Sequence, residues 1–95
     1  MDSRLFERVA KENVAEYYNS VLLNDGRANG DGPITKENVV TVWQAKVLQN
    51  NKALMITDTF GTHYFEVTYN GDKNELYLDD YVKVRNVCYP LDEND

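Results

Sequence analysis

Near its start the chain repeats apolar residues at intervals of three and four. Leu5, Phe6, Val9, Ala10, Val14, Tyr17, Tyr18, Val21 and Leu22 fall on one stripe of an amphipathic helix. Asn13 is the polar member of that stripe, a position where such a residue lies at the edge or bonds a backbone group. Asp2 or Ser3 can cap the helix by accepting from free amides of its first turn, and Asn24 to Gly26 can stop it. From Val39 the period shortens to two. Val39, Thr41, Trp43, Ala45 and Val47 alternate with Val40, Val42, Gln44, Lys46 and Leu48, and because both sets hold apolar residues this strand is expected to be covered on part of both faces. Gln49 to Lys52 reads as a turn, with Asn50 and Asn51 able to take positive φ, and Ala53 to Thr57 returns as a second strand. Asp58 to Thr62 reverses the chain again, His63 to Tyr69 alternates as a third strand, and Asn70-Gly71 signals a hairpin into a fourth at Glu75 to Leu78.

The end of the chain reads two ways. In DDYVKVRNVCY, Asp79 or Asp80 can cap a short helix that buries Tyr81, Val84, Val87 and Cys88, while the valines suit an extended strand equally. The apparent strand end followed by a cap favours the helix. The expected fold class is α+β: a long N-terminal amphipathic helix packed on an antiparallel β-meander of about four strands, with a short C-terminal helix. Residues 1–90 form a single domain in this reading, and 91–95 an acidic, frayed tail.

NGDGPITKEN, residues 29 to 38, resembles the middle of a calcium-binding loop but lacks its ends. With Gly32 at the sharp-turn position, Asn29 and Asp31 fall where ligands belong, yet Arg27 occupies the first ligand position and Asn38 the last, with Glu37 one step early. A guanidinium there repels a dication, and the β-branched VVTVWQAKV that follows does not read as an exiting helix. The stretch reads as a connector punctuated by Gly26, Gly30, Gly32 and Pro33.

Charge alters the picture of partners. Over 95 residues the net charge is -6, and it is unevenly held: residues 1 to 57 carry seven acids against seven bases, whereas 58 to 95 carry nine acids against three bases. Such a field repels phosphate, which disfavours direct duplex DNA binding, and attracts basic surfaces. Solubility alone also accounts for a net charge of this size. One cysteine, Cys88, forms no intrachain disulfide, and the opening MDSRLFER lacks a signal peptide, so a cytoplasmic location is expected. No apolar run approaches a membrane span.

Catalysis has little to draw on. His63 is the only histidine and Cys88 the only thiol, too few for a structural zinc site and separated as a nucleophile pair. Paired acids such as Glu66 and Glu75 would need a cleft that a chain this short seldom builds. The expectation is no enzyme, no catalytic residue, no metal and no cofactor. Tyr64, Tyr69, Tyr77 and Tyr81 with Trp43 could stack bases as a single-stranded nucleic-acid or nucleotide binding module, although Lys46, Lys52 and Lys73 are scattered; packing and cross-strand pairing explain the same aromatics.

Two motifs, WQAKVLQNNKAL (Trp43 to Leu54) and YFEVTYNGDKNELYLDDY (Tyr64 to Tyr81), resemble those of small proteins of unassigned function encoded by phages and prophages of Gram-positive bacteria. The resemblance runs from about Val39 to Cys88 and departs in the glycine loop 25 to 33. It implies a protein made inside an infected or lysogenic cell. Joined to the acidic second half, it leads to an interaction module that presents Glu66, Asp72, Glu75, Asp79 and Asp80, with Tyr64 and Tyr77, to a basic surface of a host protein. The expected target is a nuclease of host defence, inhibited in the manner of an anti-CRISPR or anti-restriction nucleic-acid mimic. A homodimer through a strand edge is compatible with the same sequence.

Overall fold

The computed structural model describes residues 1–26, 32–58 and 63–92, so the loop expectations at 27–31 and 59–62 and the last three residues lie outside the described residues. Helix α1 spans Ser3–Tyr17, and Asp2 caps it by accepting from the Leu5 amide at 2.9 Å. Asn13 donates to the Val9 carbonyl at 2.8 Å, so the polar residue of the stripe is satisfied within its own helix. Over Tyr18–Leu22 the helix widens into a π turn, closed by the Leu23 amide on the Tyr18 carbonyl at 2.9 Å. The extra residue lets Tyr18 and Leu22 both reach the core. It also frees Asn19, whose side chain both donates to and accepts from the Ile34 backbone at 2.8 Å and so ties the returning chain to the helix.

After a 3-10 turn at Lys36–Asn38, four strands follow: β1 Val39–Val47, β2 Asn50–Thr57, β3 His63–Asn70 and β4 Glu75–Val82. They form one antiparallel meander in the order β1-β2-β3-β4. One face receives α1: Phe6, Ala10, Val14, Tyr18 and Leu22 pack on Val39, Ala53, Met55, Phe65 and Val67. The α+β class is as the period change predicts.

Three expectations are corrected. First, β1 is not covered on both faces. A bulge between Thr41 and Trp43 shifts the register, so Val39 and Thr41 share the helix side with Gln44 and Lys46, while Val40 shares the outer side with Trp43, Ala45 and Val47. Both alternating sets are apolar because the phase flips midway. Second, the first hairpin turns at Leu48 and Gln49, not at Gln49 to Lys52: Val47 pairs with Asn50, Leu48 takes φ 57°, and Asn51 is buried in β2. Third, a C-terminal helix is not seen among the described residues. β4 continues through Asp79, Asp80 and Tyr81 to Val82, because Asp80 is held facing inward and the alternation of Tyr81, Val82, Lys83 and Val84 suits extended backbone. Residues 83–92 then run on as an exposed arm without helix or strand. The last strand ends at Val82.

The two hairpin tips touch. The Gly71 amide donates to Asn50 Oδ1 at 3.0 Å and Gln49 Nε2 donates to Asp72. A Cβ at Gly71 would lie 2.2 Å from the Gln49 carbonyl oxygen, so this approach requires glycine.

Candidate interaction face

No helix among the described residues covers the outer face of the sheet. The β period sends every second residue there: Val40, Trp43, Ala45 and Val47 from β1; Lys52, Leu54 and Ile56 from β2; Tyr64, Glu66 and Thr68 from β3; Glu75, Tyr77, Asp79 and Tyr81 from β4. Its aromatics are large and open to solvent, with Trp43 at 44%, Tyr77 at 45% and Tyr81 at 50% exposure. Tyr64 sits directly across from Tyr81, and Thr68 across from Tyr77. Near the hairpin tips the face dips into a concavity of about 430 Å³ lined by Trp43, Ala45, Val47, Asn50, Lys52 and Thr68.

Between the two tyrosine positions of β3 and β4 lies a charge arrangement that costs energy. Glu66 and Asp79 are direct cross-strand neighbours, an arrangement of like charges that is unfavourable in a sheet. Lys52 offsets part of it, with Nζ 3.1 Å from Glu66. Asp79 has no such ion pair among the described residues. Glu75 accepts from the Tyr77 hydroxyl, and that hydrogen bond, with desolvation and the carboxylate charge, pushes the Tyr77 phenol above its ordinary pKa.

Five of the seven residues named from sequence therefore share one surface: Tyr64, Glu66, Glu75, Tyr77 and Asp79. Asp72 lies in the β3–β4 turn, engaged by Gln49. Asp80 is on the opposite face, where its carboxylate takes Tyr17 Oη at 2.7 Å and His63 Nδ1 at 2.6 Å. Phe65 backs this node: His63 stacks on its ring at 6.2 Å and Tyr17 meets it edge-on at 6.0 Å. Sequence reasoning missed the node, though a signal existed. Asp80 shares its parity with Leu76 and Leu78, and an acid at an inward position needs a partner.

Asp80 is the hydrogen-bond partner of His63 Nδ1, and Cys88 is exposed on the arm, not buried at the node. Nor, among the described residues, do three His, Cys, Asp or Glu side chains gather as metal ligands. No helix among those residues is long and apolar enough to cross a membrane.

Residues 7–91 match the model of a family described as a family of unknown function. No curated protein and no solved structure matches the chain.

Proposed function

We propose that this chain, which belongs to the family of unknown function (DUF6275), is an interaction module that docks a basic protein through the outer face of its sheet. The observation that carries this reading is the facing pair Glu66 and Asp79, set among Tyr64, Tyr77 and Tyr81 with Lys52 as the cation bonded beside it. A guanidinium or ammonium from a partner relieves the like-charge repulsion, and the neighbouring rings supply apolar contact around it. The concavity beside Trp43 offers an anchor point for an apolar side chain. Surfaces that bind phosphate backbones are basic and cross-read to acidic ligands, so the partner class is a nucleic-acid-processing protein whose groove this face occupies. The phage resemblance of Trp43–Leu54 and Tyr64–Tyr81 directs that reading to a defence nuclease of a bacterial host, inhibited by competition with its nucleic acid.

The test is affinity capture from a Gram-positive host lysate. A basic nucleic-acid-binding protein is retained and then displaced by added single-stranded or duplex DNA. Retention of no basic protein, or of one that DNA does not displace, contradicts the proposal.

A second reading has its own observation: Trp43, Tyr64, Tyr77 and Tyr81 expose their rings on one sheet face, the arrangement of a base-stacking platform. Glu66, Glu75 and Asp79 on that same face repel a phosphate backbone, which is why the protein partner is preferred. Quenching of Trp43 fluorescence by an oligothymidylate at physiological salt would favour the second reading.

A further inference from the structure

Strand β4 is an edge whose only guards among the described residues are its acids, the inward-facing Asp80 among them. At the other edge β1 carries a bulge at Val42 and Lys46 near its end, both devices that discourage pairing with another chain. β4 has no bulge, proline, glycine or lysine between Glu75 and Val82. Its pairing with β3 stops where His63 meets Val82, and the chain beyond is exposed, with Val84 at 95%. The charges of the two stretches are opposite: β4 holds three acids, Glu75, Asp79 and Asp80, and residues 83–91 hold two bases, Lys83 and Arg85, and no acid.

We infer that β4 and the arm after it pair antiparallel with the same segment of a second copy, in a register centred on Tyr81. The two-fold operation places Tyr81 opposite Tyr81 of the second copy, and every other match follows from that choice. Asp79 lies opposite Lys83 of the second copy, and Tyr77 opposite its Arg85, an ion pair and a cation–aromatic pair on the outer face. On the helix side Leu78 lies opposite Val84 of the second copy. There a groove of about 290 Å³ between α1 and β4, lined by Asn13, Glu16, Tyr17, Ser20, Leu76 and Leu78, stands ready for an apolar side chain. Centring on Asp80 instead would set two aspartates against each other. The same residues thus supply both sides of a self-complementary contact, as a two-fold dimer requires.

The product is a continuous sheet of twice the four strands in one copy, with both helices on one side and both outer faces on the other. It is built along the edge, so it stands or falls separately from the docking proposal; the two share Tyr77, Asp79 and Tyr81, and the dimer neutralises Asp79, leaving Glu66 and Glu75 as the acids open to a partner.

Sedimentation velocity over a concentration series tests it. The wild-type chain is expected to sediment as a dimer, and Lys83→Glu with Arg85→Glu to weaken association by about tenfold or more, since each change acts twice across the two-fold axis. Lys83→Glu combined with Asp79→Lys restores the dimer, which a general loss of folding would not. In a Cys88→Ser background, Tyr81→Cys forms an intermolecular disulfide on oxidation, while Val47→Cys at the β1 edge does not. A monomer at every concentration, a dimer indifferent to the charge changes, or crosslinking at position 47 as fast as at 81 overturns the inference.

Discussion

Asn51 → Leu should stabilise this protein, and by a margin that can be worked out. Asn51 is 2% exposed on the sheet's helix side, near the hairpin-tip end of β2, and among the described residues neither its amide nitrogen nor its carbonyl oxygen has a hydrogen-bond partner. Leaving a buried polar group unsatisfied costs about 1–3 kcal/mol. Leucine has nearly the same shape, fits beside Ala53 and Tyr69, and adds buried apolar surface without enlarging the core. Strands also disfavour asparagine. A conservative sum is a gain of about 2 kcal/mol, which for a chain of this size raises Tm by roughly 8–16 °C. Urea unfolding followed by far-UV circular dichroism reads the difference directly, with an unchanged slope showing that the unfolded state is not the cause. A variant less stable than wild type would refute the reasoning, because it would mean that the amide is satisfied in the folded protein.

Other outcomes follow from the same packing and electrostatics. Phe65→Ala removes the ring on which His63 and Tyr17 both rest and should lose about 3–5 kcal/mol in urea unfolding. Gly71→Ala forces a methyl against the Gln49 carbonyl and should cost on the order of 1–3 kcal/mol, whereas Gly26→Ala meets no atom within 4 Å and is strained only through its positive φ. The Asp2 carboxylate is held below its ordinary pKa, chiefly by the Leu5 amide, so its contribution is present above the unfolded value and lost as pH falls through the folded one. Below about pH 4, wild type should therefore lose stability faster than Asp2→Asn, which keeps a cap but cannot titrate. Tyr77 should ionise above its ordinary pKa in a spectrophotometric titration, and Glu75→Gln should bring it back toward that value.

Element type was legible because local period and burial agree here. The stripe from Leu5 to Leu22 needs a covering surface, and the alternating strands supply one. Register was less so. A bulge at Val42 leaves no mark in a run of valines, and it alone decides that Trp43 points away from the core. The first turn was misplaced because asparagine is the stronger turn residue, yet Asn50 and Asn51 are spent inside β2 while Leu48 takes the positive φ. For the arm after Val82, propensity and capping point in opposite directions, and Val84, 95% exposed, has too little covering surface to decide between them. Of the acidic positions, alternation alone separates Glu66, Glu75 and Asp79 from Asp80, once β4 is known to continue past Leu78.

Whether the outer face binds because its acids are organised, or merely because the protein is acidic, is decided by a charge-matched comparison. Glu66→Gln with Glu75→Gln removes two charges from that face, and Glu7→Gln with Glu12→Gln removes two from α1, leaving Asp79, Lys83 and Arg85 untouched in both. In parallel capture from host lysate, the docking account predicts that the first variant loses the basic partner and the second retains it. Equal retention by the two variants, or equal loss, would contradict it.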